Sequence, residues 1–325
     1  MAITEVGRKE FFDNLETFIN LNLPVKISDF HHASHSSIDL NNITEILKEN
    51  VVSEQIHYSK LAEEFAGRYF YNDRVNALNF EHHTCSISEF FNLLKDPNTN
   101  KSFYAAQAIP LNIVFNNFVK ETFQCRELKE DVDSRLWLGN KCNTAAHFDF
   151  SHNIAHVLKG RREFKLFPTH QIQNLYVGPI SLTPGGTPIS MVDVVNPDFD
   201  KFPRYEAALQ HAVDVALGPG QAVFIPNLWW HAVQSLDSEN ILLNYWWKEL
   251  NNEGSLPYDS LVFLMSFIPS LPIQERKAWK EIFNYYVFQT ETDPKSHLPD
   301  DLHDILMNLS HNDLMTIRTW FKGKL

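Results

Sequence analysis

Eight short segments follow one another between Arg135 and Trp247: RLWLGN, TAAHFDF, NIAHVLKG, EFKLFP, AVDVALGPG, QAVFIP, HAVQSL and ILLNYWW. Each is apolar or alternating, and most end at Gly, Pro or Asn. Short strands at regular spacing, punctuated by turn residues, predict a β-sandwich or barrel and exclude a helical bundle for this part of the chain. One long insertion, from about Thr169 to His211, interrupts the series. It is rich in Pro and Gly (LTPGGTPISM, NPDFDKFP). Insertions of that size in a compact domain are usually functional loops or lids.

The flanks read differently. From Thr4 to Ile19 the apolar positions Phe11, Phe12, Leu15, Phe18 and Ile19 recur at helical spacing. NLPVKISDF is expected to be a short strand entering a turn, HHASHSS a polar loop, and SIDLNNITEILKENV a helix. HYSKLAEEFAGRYFYND is expected to be a helix ending near Gly67, and SISEFFNLLKDP a helix capped by Ser86 with Glu89 in its first turn. After Asn251 three amphipathic stretches follow: YDSLVFLMSFI, PIQERKAWKEIFNYYVFQ and DLHDILMNLSHNDLMTIRTWFK. Their apolar stripes must be buried against something. The expected organisation is a mixed region over 1–100 packed on a β core over 101–250, with a helical unit over 251–325.

Bulk properties narrow the function. The chain has 325 residues and 44% hydrophobic content, enough for a sizeable core. A formal net charge of -12 repels phosphate backbones, so nucleic acid is not an expected partner. Cys85, Cys125 and Cys142 form no CxxC pair and are odd in number, which argues against a disulfide framework and for a reducing compartment. MAITEVGRKEFFDNLETF has no apolar core of a signal peptide, and no run approaches 18 apolar residues. A cytoplasmic location with no membrane association is expected.

The chemistry concentrates in NTAAHFDFSH, residues 143–152. On a strand, residues two apart share a face, so His147 and Asp149 would project together with Phe148 opposed. His231, in GPGQAVFIPNLWWHAVQSL, begins the strand after a Pro-Gly-to-Pro strand and offers a third ligand. Two histidines and one carboxylate make the facial triad of non-haem Fe(II) oxygenases, with positions left open. The other histidines are placed elsewhere: His31, His32, His35, His82 and His83 in solvated stretches, and His152 and His156 as buried, hydrogen-bonded residues. Phe148, Phe150, Trp229 and Trp230 would either wall the site or pack in the core. Trp246 and Trp247 lie on opposite faces of one strand, so one of them at most lines a pocket.

TAAHFDFSHNIAHVLKGRREFKLFP, NPDFDKFP, LGPGQAVFIPNLWWHAVQSL and ILLNYWWKE, in that order and spacing, resemble the cupin-like JmjC proteins, and NLYVGP with PGGTPISMVD is similar to their bacterial subgroup. The asparaginyl hydroxylase that acts on hypoxia-inducible factor is a known relative. The resemblance covers about residues 100–250 and extends more loosely to both ends. It implies a mainly β fold, a double-stranded β-helix (jelly-roll, cupin) core with flanking helices and a C-terminal helical unit that dimerises. It implies Fe(II) on His147, Asp149 and His231, with 2-oxoglutarate and O₂ as cosubstrates. It also implies that Thr144 contacts the cosubstrate carboxylate, that Asn153 and Asn244 are amides near the metal, and that the Tyr104 phenol reaches the distal carboxylate. Gln107 and Trp246 fall on the substrate side. Where the family often has a lysine for the distal carboxylate, this chain has Arg162, which can grip a carboxylate through a two-pronged fork. Lys165, three residues on, would face the other way.

The reading implied is a 2-oxoglutarate-dependent hydroxylase acting on a C–H bond of a protein, peptide or small molecule, as a homodimer through the C-terminal helices. Two alternatives stand beside it. One is a cupin that holds metal without redox chemistry, as a ligand sensor or isomerase. The other is an interaction protein whose working surface is the C-terminal helices.

Overall fold

The computed structural model describes residues 2–31, 38–53, 55–96, 101–128, 131–248, 257–291, 293, 294, 296–299, 316 and 319. The chain divides into two compact units, Met1–Glu249 and Leu250–Leu325.

The first unit is built on strands β1 (Thr4–Val6), β2 (Val25–Ile27), β3 (Ile56–Ala62), β4 (Arg68–Tyr69), β5 (Glu81–Cys85), β6 (Ser102–Pro110), β7 (Asp133–Gly139), β8 (Asn143–His147), β9 (His152–Lys159), β10 (Arg162–Phe167), β11 (Val213–Leu217), β12 (Ala222–Ile225), β13 (Trp230–Ser235) and β14 (Asn240–Trp247). A nine-stranded sheet runs β1-β2-β12-β9-β14-β7-β6-β3-β5, and a five-stranded sheet runs β11-β10-β13-β8-β4. The two sheets face each other as a jelly-roll core. Val157, Val223 and Leu242 of the large sheet pack with Phe164, Leu166, Val213 and Val215 of the small one in a single apolar cluster.

Period-two patterning decides which side chains enter that interior. On β11, Val213, Val215 and Leu217 are buried while Asp214 and Ala216 are exposed. The exposed Asp214 pairs with Lys165 directly across on β10, so Lys165 does face away from Arg162, which is buried. The central strands β9 and β14 are covered on both faces. On β14, Leu243, Tyr245 and Trp247 point outward, into a second apolar core roofed by helices; Leu242, Asn244 and Trp246 point inward. The roof is supplied by helices Arg8–Asp13, Ile43–Glu49 and Ile87–Lys95, which bury Phe11, Ile43, Leu47, Phe90 and Phe91. Ser86 and Glu89 close a reciprocal capping box on the last of these. Gly160 turns β9 into β10 at φ +75, where a Cβ would collide with Asn240 Oδ1 and stand 2.8 Å from Glu239 O. That position therefore requires glycine.

Two stretches depart from their sequence pattern, the first being Thr4–Val6, which opens a stretch read at helical spacing but pairs with β2 as β1. Residues 57–66, expected to be helical, instead form most of β3, followed by a single 3-10 turn at Glu63–Phe65. The Leu61/Phe65 spacing fits a helix, but β3 is hydrogen-bonded on both edges, to β5 and to β6. That cross-strand pairing overrides local helix propensity. The strand carries the N-terminal region into the same sheet as the core. The loop HHASHSS lies outside the described residues apart from His31.

In the second unit, helices Pro257–Met265 and Ile273–Phe283 are described, the latter running into a π turn at Asn284–Phe288. Leu261, Phe267, Trp279, Tyr286 and Phe288 are among its exposed large apolar residues. The expected helix over 301–322 lies outside the described residues except for Thr316 and Thr319. Among the described residues no helix is long and apolar enough to cross a membrane.

Candidate metal centre and its cavity

His147 ends β8 and His231 is the second residue of β13, and the two strands pair with these residues directly opposite. The imidazole centroids lie 4.3 Å apart. Asp149 sits just past the end of β8, two residues beyond His147, and its backbone oxygen accepts from Leu228 N at 2.9 Å. That bond pins the ligand loop to the turn leading into β13. One ligand atom from each of His147, Asp149 and His231 lies within 4.8 Å of the others, and Asp149 Oδ2 is 3.6 Å from His231 Nε2.

Both imidazoles are held in one tautomer. His147 Nδ1 bonds to Ala145 O at 2.9 Å and His231 Nδ1 to Trp229 O at 3.1 Å. A carbonyl only accepts, so each Nδ1 carries its proton and each Nε2 keeps its lone pair. Burial, and then the neighbouring His147 ring, push the His231 imidazole down to about 4. It is thus a neutral ligand at physiological pH. Two imidazole nitrogen donors and one carboxylate suit a divalent iron.

The triad opens into a cavity of about 560 Å³ between the two sheets. Thr144, Asn153, Arg162, Gln107, Asn244 and Trp246 all line it. Asn244 Nδ2 donates to Asn153 Oδ1 at 2.6 Å, so the two amides act as one unit. Arg162 is 7% exposed, and its bond is a long one, from Nη2 to Trp137 O at 3.4 Å; Nε has no partner. Burial pulls its guanidinium down to about 10. Asp149 is the only carboxylate among the described lining residues. A buried cation without a carboxylate partner is costly, and a bound anion is the ordinary compensation. The donor set therefore fits a dicarboxylate that reaches from the metal to Arg162.

Tyr104 is a correction. It lies in the outer core, 5% exposed, with its ring 6.2 Å from Tyr58, and it does not line the cavity. The reason is strand parity. Ala105 and Gln107 occupy the inward positions of β6, so Tyr104 and Ala106 turn to the helical roof. Phe148, Phe150, Trp229 and Trp230 do not line the cavity either. Trp230 is fully buried against Phe148, and Trp229 donates through Nε1 to Asn22 O at 2.9 Å. Trp247 packs in the outer core, and His152 and His156 are buried away from the triad. His156 has no hydrogen-bond partner at either ring nitrogen.

Several lining residues were not singled out from sequence. His57, Tyr58, Tyr69 and His82 come from β3, β4 and β5. His82, expected in a solvated stretch, is exposed, but at the cavity wall. Pro184, Gly185 and Thr187 bring the tip of the long insertion to the same wall, and Arg135 and Trp137 face inward from β7. The alternation of RLWLGN carried a signal for the last two, since Leu136 and Leu138 claim the outer face.

Residues 9–253 match the cupin-like domain family. The chain is 36% identical over 116 residues to human HSPB1-associated protein 1, an alignment covering 35% of this chain and 23% of that protein. It is 31% identical over 162 residues to JmjC domain-containing protein C of Dictyostelium discoideum, covering 47% of this chain and 38% of the relative. Lysine-specific demethylase JMJ31 of Arabidopsis thaliana is 28% identical over 157 residues, covering 44% and 28%. The alignments thus span well under half of each relative's length.

Proposed function

The chain belongs to the cupin-like domain family, and from that premise we propose that it is an Fe(II)- and 2-oxoglutarate-dependent oxygenase that hydroxylates a C–H bond of a protein, peptide or small-molecule substrate. Members of the JmjC branch, to which the Dictyostelium and Arabidopsis relatives above belong by name, typically have this cofactor requirement. Fe(II), with 2-oxoglutarate and O₂, would supply an oxidant for the C–H bond while 2-oxoglutarate is converted to succinate and CO₂.

The chain's own residues would do the rest. His147, Asp149 and His231 hold the metal, with their outer nitrogens locked on backbone carbonyls. Arg162, with Thr144 lining the same cavity, grips the distal carboxylate of the cosubstrate. The Asn153–Asn244 pair orients groups at the metal-proximal end. Gln107 and Trp246 face the substrate. The observation that carries the reading is the buried Arg162, which opens to the same cavity as the triad and has no carboxylate partner.

The core over 101–250 with its N-terminal region over 1–100 would form the catalytic part of a cytoplasmic protein. The helical unit over 251–325, whose described helices expose Leu261, Trp279 and Phe288, would join two copies as a homodimer.

Purified protein supplied with Fe(II), O₂ and 2-oxoglutarate should form succinate, slowly even without substrate. His147→Ala should abolish both metal binding and turnover. Well-metallated protein that neither binds nor consumes 2-oxoglutarate would exclude this function and leave the non-redox cupin.

A further inference from the structure

With Tyr104 turned into the outer core, the distal carboxylate keeps the Thr144 hydroxyl but lacks the phenol that the resemblance assigns to it. Trp137, which lines the cavity, carries another neutral donor. The indole Nε1 of Trp137 is buried and unpartnered, as is Arg162 Nε. The two residues meet from facing sheets. Trp137 lies inward on β7, Arg162 lies inward on β10, and Arg162 Nη2 donates to the Trp137 backbone oxygen at 3.4 Å. Buried donors without acceptors call for a ligand. One that serves a guanidinium and an indole N–H from the facing strand together must carry several acceptor sites on one group. A carboxylate offers about four lone-pair sites, more than one arginine fork uses.

We propose that Trp137 is a cosubstrate-anchoring residue, its indole N–H donating to the distal carboxylate that Arg162 holds, in the role a tyrosine phenol was expected to fill. This rests on the oxygenase reading above. It separates affinity for the distal carboxylate from affinity for the 2-oxo acid end, because only the former uses Trp137.

The test is calorimetric titration of Mn(II)-loaded protein under nitrogen with two acids: 2-oxoglutarate, and 2-oxovalerate, which ends in a methyl group instead of the distal carboxylate. Trp137→Phe should weaken 2-oxoglutarate by about tenfold, as for loss of one charge-assisted hydrogen bond, and leave 2-oxovalerate unchanged. Unchanged 2-oxoglutarate affinity overturns the proposal. So does an equal loss for both acids, which would make Trp137 a packing partner of Trp246, with which it stands edge to face at 6.2 Å. Wild-type protein that binds metal but not 2-oxoglutarate overturns the oxygenase reading itself. If Trp137→Phe fails to fold, benzothienylalanine at position 137 keeps the bicyclic ring, replaces the N–H by sulfur, and carries the same two expectations.

Discussion

Replacing Arg162 by methionine should make the ligand-free protein more stable while removing its response to 2-oxoglutarate. The guanidinium falls from the ordinary 12.5 to about 10 because it is buried. A depressed value on a base means that the folded state disfavours the charged form. The cost is present in full below the folded value and disappears only above it. At neutral pH a drop of that size corresponds to about 3 kcal/mol. Methionine keeps the unbranched stem, fills much the same space and needs no partner. It forfeits one long bond to Trp137 O, so the net gain should be about 2 kcal/mol. In a unit of this size that is a rise in Tm of roughly 4–8 °C. Wild-type protein loaded with Mn(II) should gain about 3 kcal/mol from 2-oxoglutarate at a hundred times its Kd, and Arg162→Met should gain none. Differential scanning fluorimetry with and without the cosubstrate reads both effects. A ligand-free variant less stable than wild type would show that the guanidinium has structural partners it needs. An equal Tm response to 2-oxoglutarate would show that the anion binds elsewhere.

Tyr104→Phe should leave 2-oxoglutarate affinity within about twofold, because its ring faces the helical roof; a large loss on titration would restore it to the cavity. His231 should give the metal-free protein a pH slope. With its folded value at about 4, below the ordinary 6.5, the unfolded chain binds more protons in that window. Stability should therefore fall by up to about 3 kcal/mol as pH drops from 6.5 to 4. Urea unfolding of His231→Gln should show a flatter slope, though not a flat one, since burial also pushes His156 well below its ordinary value. Gly160→Ala should cost roughly 2–3 kcal/mol in urea unfolding, because a Cβ there combines a left-handed backbone with a collision against Asn240.

Much of the site was legible because its elements are local. The strands from 135 to 247 announce themselves through alternation and turn residues. The triad follows from two ligands on one short segment and a third at a marked strand start. Arg162 was marked only through the resemblance, as the position after the Gly160 turn where the family often has a lysine. Two things were not legible. SFYAAQAIP is apolar at Phe103, Tyr104, Ala105 and Ala106, so it carries no alternation to say which face looks inward, and the family resemblance alone placed Tyr104 at the carboxylate. The β3 segment looks helical in isolation, because the hydrogen bonds that make it a strand come from β5 and β6, each more than ten residues away. Reading it as a helix hid His57, Tyr58 and Ser59 from any account of the cavity.

The shared nine-stranded sheet has a practical consequence for anyone trimming this protein. A fragment starting at residue 101 would keep the triad and Arg162 yet strip β3 from the flank of β6. The freed edge would present a row of unpaired amides and carbonyls, an invitation to pair with another chain. The same cut would remove the wall formed by His57, Tyr69 and His82, so the cavity beside the triad would be opened further to water. Such a fragment should retain metal affinity while aggregating. Its residual turnover would describe a pocket with one wall missing, and selectivity measured on it would not transfer to the intact chain.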